Sequence, residues 1–181
     1  MNALDFLKIA LKDHKVAALS ESSQWVVERI SDFLPDGARH IVEYGPGSGV
    51  ITRRILNIMP REGKLIAVEL NNDFYQMLSE IKDSRLTPVK GDVMDVTKDF
   101  SHFGDAGADA VISTIPFSFL NSRERSELIR RTARMLRPGG RFITGQYSFL
   151  IFPLIRRYFQ KSKFTVELRN FPPFFVMWGE K

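Results

Sequence analysis

The residues best suited to chemistry in this chain are a glycine-rich run and the acids spaced around it. Val42-Glu43-Tyr44-Gly45-Pro46-Gly47-Ser48-Gly49 follows a β-branched run and opens a helical one. Glycines at such a junction let the backbone turn sharply and approach a ligand closely. A dinucleotide fingerprint asks for glycine where this chain has Val50. The run instead sets Glu43 two residues before its first glycine, which suits a ligand bearing an ammonium and no pyrophosphate. Glu69 closes an apolar run about 20 residues further on, the place from which a carboxylate holds both ribose hydroxyls. In Gly91-Asp92-Val93 the acid can accept from an exocyclic adenine amine, and Val93 offers the ring an apolar surface.

A second constellation is suited to an acceptor. In Ser113-Thr114-Ile115-Pro116-Phe117 the carbonyls of a proline-stiffened loop can accept from an amine and aim its lone pair, with Phe117 packing on the acceptor. Tyr147 offers a hydroxyl that can take a proton or bind a phosphate. His14, His40 and His102 are scattered, without metal-ligand spacing, so no metal is expected.

These residues need strands to carry them. Short β-branched runs occur at residues 40–43, 64–69, 87–90, 110–113 and 141–146, with helical patterns at 22–33, 50–58, 72–81 and 122–136. Alternating strands and helices with short loops predict a parallel sheet covered on both faces. Each candidate then falls at a strand's carboxyl end, where open α/β sheets bind ligands. Leu136-Arg137-Pro138-Gly139-Gly140-Arg141 is expected to end a helix and break before the fifth strand. A helix is predicted over 149–160. Two extended runs, 164–168 and 174–178, have no helix between them and predict an antiparallel finish.

The 181 residues suit one domain, with residues 1–36 as a helical cap and 37–181 as the core. An apolar fraction of 44% excludes wholesale disorder, and the absence of cysteine excludes disulfides and thiolate chemistry. Apolar runs such as residues 149–155 are far short of the roughly 20 that span a bilayer. No secretory leader pattern is present, so a cytoplasmic protein is expected. Eleven cations between Arg123 and Lys163 face only Glu124 and Glu127, so the remainder of this +5 chain is net acidic. Such a segment attracts phosphate, in nucleic acid or in anionic lipid. Ala3, Leu4, Leu7, Ala10 and Leu11 share one helical face, suited either to packing on the core or to lying on a membrane.

In order and spacing these elements resemble the class I S-adenosylmethionine-dependent methyltransferases, whose sheet is Rossmann-like, seven-stranded and mostly parallel with an antiparallel C-terminal strand. The resemblance implies S-adenosylmethionine as cofactor, held by Glu43, Gly45, Gly47, Gly49, Glu69, Leu70, Asp92, Val93 and Ser113. It leaves Tyr147 and Ser113 as candidate catalytic residues. Ile115-Pro116-Phe117 is similar to the loop of the rRNA adenine dimethyltransferases, with Thr114 where they carry asparagine. The small bacterial phospholipid N-methyltransferases are similar over more of the chain. Their opening helix looks like residues 6–11 with Ser22-Ser23, and their Asn-x-Pro-Pro-x-x-x-x-Trp ending matches Asn170 to Trp178. That likeness implies methylation of phosphatidylethanolamine towards phosphatidylcholine by a monomer bound peripherally to anionic membrane, without nucleic acid or metal. A nucleic-acid adenine N6-methyltransferase and a small-molecule methyltransferase are the alternatives.

Overall fold

The computed structural model describes residues 24–98, 107–170 and 172–181. The expected amphipathic face near the N-terminus and Ser22-Ser23 lie outside them. The described chain runs α1 (Gln24–Asp32), β1 (His40–Tyr44), α2 (Val50–Ile58), β2 (Lys64–Glu69), α3 (Asn72–Ser79), β3 (Leu86–Lys90) and a short α4 (Val93–Val96). There follow β4 (Ala108–Ser113), a 3-10 turn (Phe117–Phe119), α5 (Ser122–Met135), β5 (Leu136–Gln146), α6 (Phe152–Tyr158), β6 (Lys161–Glu167) and β7 (Phe174–Glu180).

The strands form one seven-stranded sheet in the order β3-β2-β1-β4-β5-β7-β6. β1 to β5 are mutually parallel, and β7 enters antiparallel between β5 and β6. The mostly parallel sheet and antiparallel C-terminal strand are therefore as expected. Strands buried on both faces must be apolar on both, and alternate residues of β1 separate accordingly. Ile41 joins a cluster with Val26, Ile30, Ile51 and Ile55 from α1 and α2. Val42 and Tyr44 join the opposite one, with Leu128 and Ile129 of α5 and Ile155 of α6.

Helix starts follow from side chains that satisfy the free amides of a first turn. Asn71 accepts from the Asp73 and Phe74 amides at 2.8 and 3.1 Å. Asn121 and Glu124 form a reciprocal capping box on α5. One boundary differs from the sequence expectation. Pro138-Gly139-Gly140 does not separate helix from strand; it lies inside β5 as an irregularity, since Ala108 pairs with Leu136 while Ala110 pairs with Arg141. The extra residues bulge outward, where Pro138 sacrifices no ladder bond and Gly139 takes φ +76°.

The chain order reverses between β1 and β4, so the crevice beyond their carboxyl ends is the sheet's switch point. Gly45, Leu70, Asp92, Thr114 and Tyr147 all lie just beyond strands at that end.

Candidate active site

The glycine turn hangs from β1 and is shaped by its neighbours. The Gly45 amide donates to the Val68 carbonyl at 2.9 Å, with φ at +68°. A Cβ on Gly45 would stand 2.6 Å from Ile115 Cγ2, so the loop after β4 fills the space glycine leaves. Gly47 also has positive φ, +57°, but a Cβ there would meet nothing within 4 Å. The turn is thus closed at Gly45 and open at Gly47. Gly49 is the N-cap of α2.

Two acids lie beneath this turn. Glu43 is fully buried. Its Oε2 accepts from Thr52 Oγ1 at 2.7 Å, and its Oε1 has no partner. Burial pushes its pKa up to about 7, against the Thr52 hydrogen bond and helped slightly by the charge of Glu69. Glu69, on the next strand, accepts from the Gly47 amide at 3.0 Å and the Asn71 amide at 2.7 Å. Its pKa is also raised, chiefly by burial, while these amides and nearby Lys90 oppose the rise. Each carboxylate oxygen retains a further lone pair, so the grip on Gly47 leaves room for hydroxyl donors. Lys90 Nζ donates to the Leu70 carbonyl, bracing the end of β2 from β3. Asp92 caps α4 through the Met94 amide at 2.8 Å. Val93 is buried in the cluster that holds Tyr44 and Val68.

The acceptor loop is tied on two sides. Towards the glycine turn, the Thr114 amide donates to the Tyr44 carbonyl at 3.2 Å and Thr114 Oγ1 to the Gly45 carbonyl at 2.8 Å. Towards β5, the Gln146 amide bonds the carbonyl of Ile115 and the amide of Phe117. Ser113 is fully buried with an unpartnered hydroxyl. Phe117, expected to pack on the acceptor, is instead 1% exposed and packs edge-on against Phe142 in the core. Tyr147 is exposed, its ring edge-on to Phe174 at 4.7 Å, and Phe174 belongs to the cluster on the opposite face from Phe117. Among the described residues, no hydrogen bond ties Tyr147 to the Ser113 loop. The structure therefore gathers Glu43, Gly45, Gly47, Gly49 and Glu69 closely, keeps Ser113 beside them on β4, and sets Tyr147 apart.

Thr52 and Gln146 were not legible as site residues. Thr52 is a lone hydroxyl on the buried face of an amphipathic helix, which only the need of a buried Glu43 for a donor would reveal. Gln146 is the one amide in the strand run before Tyr147. The basic segment also proves less free than its composition implies. Arg130 and Arg131 pair with Glu127, Arg137 with Asp109, and Arg141 and Lys161 with Glu180. A cavity of about 330 Å³ near Arg39, His40 and Arg137 opens at the amino end of the strands and takes no part in this arrangement.

The residues present fit a cationic nucleoside cofactor. An orphaned buried carboxylate oxygen at Glu43, an open cradle at Gly47, and acids at the ends of three successive strands provide for an ammonium, a ribose and an adenine. Sheet order and site define the class I S-adenosylmethionine-dependent methyltransferases, and the chain belongs to that family: residues 41–140 match the methyltransferase domain. Its cofactor is S-adenosylmethionine. The chain is 32% identical to an ornithine lipid N-methyltransferase of Singulisphaera acidiphila over 163 residues, 87% of this chain and 84% of that one. A shorter stretch of 76 residues is 37% identical to a probable ribosomal RNA small subunit methyltransferase A of Methanospirillum hungatei, covering 39% of this chain and 28% of that. The N-methyltransferase NodS of Bradyrhizobium japonicum, solved with S-adenosyl-L-homocysteine, shares the fold with a TM-score of 0.71 at 13% identity, over 100% of this chain and 99% of that.

Proposed function

We propose that this chain methylates the amine headgroup of a membrane lipid, with phosphatidylethanolamine, towards phosphatidylcholine, as its substrate. The observation that carries the lipid reading is the similarity to a lipid N-methyltransferase over most of both chains. In this reading Glu43 faces the cofactor's ammonium, Glu69 and Leu70 its ribose, and Asp92 and Val93 its adenine, with Gly45, Gly47, Gly49 and Ser113 lining the path between. S-adenosylmethionine supplies an electrophilic methyl on a sulfonium whose departing thioether is neutral, so the site needs no acid to assist it. What the chain supplies is position. The loop from Ser113 to Phe117 holds a neutral amine in line with the methyl, and holding two reactants so is itself a large share of catalysis. After transfer the product ammonium sheds its proton to water.

A lipid substrate must be met at a bilayer surface. Phe149, Leu150 and Phe164 are exposed, and the Phe149 ring meets those of Phe152, Phe164 and Phe175 tilted or edge-on at 4.6 to 5.7 Å. Arg156, Arg157 and Lys163 stand exposed in the same elements. Apolar rings flanked by cations suit an anionic bilayer, each cation contributing about 1 kcal/mol near its surface. Among the described residues no helix is long and apolar enough to cross a membrane. The test is transfer of radiolabelled methyl to vesicles of phosphatidylethanolamine with anionic lipid, beside vesicles of ornithine lipid and a reaction on RNA. Label in phosphatidylethanolamine supports the proposal in full. Label in ornithine lipid alone keeps the lipid reading and moves the headgroup, and label in RNA alone overturns both.

A further inference from the structure

We infer that Gln146 is a positioning residue for the methyl acceptor, acting through the loop it grips; this rests on the reading that the Ser113–Phe117 loop holds the amine. Gln146 is the last residue of β5 and only 6% exposed, although it sits at the mouth of the crevice. Both ends of its amide are engaged. Nε2 donates to the Ile115 carbonyl at 2.8 Å and to Thr144 Oγ1 at 3.1 Å. Oε1 accepts from the Phe117 amide at 3.3 Å. One side chain therefore reads a carbonyl and an amide of the same loop, two residues apart, and Thr144 fixes its own rotamer. A side chain with only donors or only acceptors cannot make this set.

The grip matters because of what lies at the loop's other end. Thr114 is bonded to the backbone of Tyr44 and Gly45, and Ile115 Cγ2 occupies the space beside Gly45. The loop thus spans from the cofactor turn to Gln146, fixed at both ends. Gln146 also engages the Ile115 carbonyl and draws it towards β5, while the buried Ser113 hydroxyl remains unpartnered. Of the polar groups in this loop, Gln146 commits the Ile115 carbonyl and the Phe117 amide to the protein. Releasing its end frees the acceptor half of the loop while Thr114 keeps the cofactor half in place. Small misplacements of reacting atoms, on the order of 1 Å, can cost about 100-fold in rate.

Two variants separate this role from simple support. Gln146→Leu keeps the bulk and loses all three bonds, and Gln146→Glu keeps the shape and makes the donor depend on pH. Gln146→Leu is expected to lower kcat on aminolipid vesicles by about 10- to 100-fold, with cofactor Kd changed less than about threefold. Hydrogen exchange at the Phe117 amide should quicken in the same variant. Gln146→Glu should regain activity relative to wild type as pH falls, because the protonated carboxyl can again donate to the Ile115 carbonyl, whereas the carboxylate repels it. Unchanged kcat in Gln146→Leu, or a loss of cofactor affinity as large as the loss of kcat, overturns the inference. So does a pH profile for Gln146→Glu that parallels wild type. If wild type methylates no aminolipid, the headgroup reading fails by itself, and retained Phe117 protection in Gln146→Leu then overturns the grip independently.

Discussion

Replacing Glu43 with glutamine should stabilise the cofactor-free protein at neutral pH and weaken its hold on the cofactor. The carboxyl is fully buried, with one oxygen on Thr52 and the other without a partner. Its pKa stands at about 7 in the folded chain against 4.5 as the reference value. Between those values the native protein keeps a proton that the unfolded chain releases. Stability attributable to Glu43 is therefore greatest below pH 4.5, falls as pH rises through the window, and levels off above 7. At about 1.4 kcal/mol per pH unit, the gap amounts to roughly 3 kcal/mol. Glutamine keeps the volume and the acceptor for Thr52 Oγ1 but cannot ionise.

The assay is urea unfolding of both proteins at intervals from pH 4.5 to 8, read as the difference between them. Wild type should lose about 3 kcal/mol relative to Glu43→Gln across that range. Glu69, raised in the same sense, is present in both and largely cancels. Asp83, Glu127 and Glu167, held near 2 by their arginines, titrate below the window. Titration calorimetry supplies the counterpart. A cationic cofactor favours the ionised carboxyl, so wild-type affinity should rise towards pH 7. The variant should bind about 10- to 100-fold more weakly there, the worth of one charge-assisted hydrogen bond. Parallel stability curves for the two proteins would refute the reasoning, because Glu43 would then be ionised in the fold throughout.

Other substitutions probe the remaining pieces. Glu69→Ala and Asp92→Ala should each abolish measurable cofactor binding in calorimetry, and unchanged affinity in both would sink the assignment of the strand-end acids. Gly45→Ala should cost about 2–4 kcal/mol in chemical denaturation, from its left-handed backbone and the clash with Ile115. Gly47→Ala should cost only about 1–2 kcal/mol, from the backbone alone; equal costs would show that Ile115 does not close the turn. Deleting residues 1–12 should reduce sedimentation with anionic liposomes while leaving cofactor affinity intact, and undiminished liposome binding would assign that segment to packing.

What was legible in the sequence was local. Gly45, Gly47 and Gly49 announce a turn because glycine takes the positive φ found there without steric cost. Glu69 and Asp92 stand out because each closes or follows a β-branched run. The parallel core and the antiparallel finish follow from whether a helix separates one strand from the next. What was not legible depends on partners distant in sequence. Gln146 reaches Ile115 across 31 residues, and Arg141 reaches Glu180 across 39. No period or turn signal encodes those pairings. The Pro138-Gly139-Gly140 bulge departs from the sequence expectation for a related reason. Local turn chemistry favours a break there, but pairing of Leu136 with Ala108 draws the strand to begin before it.

The same distinction explains why the site carries so much unspent polarity. A carboxylate buried without a full set of donors weakens the fold, and Glu43 and Glu69 both have raised pKa values beneath one turn. Hydrophobic packing of β1 and β2 holds them there regardless, since Val42, Tyr44 and Val68 leave the strands no other register. In the proposed reading the cost is recovered when the cofactor's cation reaches Glu43. Meanwhile Thr114 and Ile115 lock the loop after β4 to that same turn, so in this reading the groups proposed to hold the cation and those proposed to aim the amine share one frame. Cofactor affinity and acceptor alignment should therefore fail separately only where that frame has a separate anchor, and Gln146 is such an anchor.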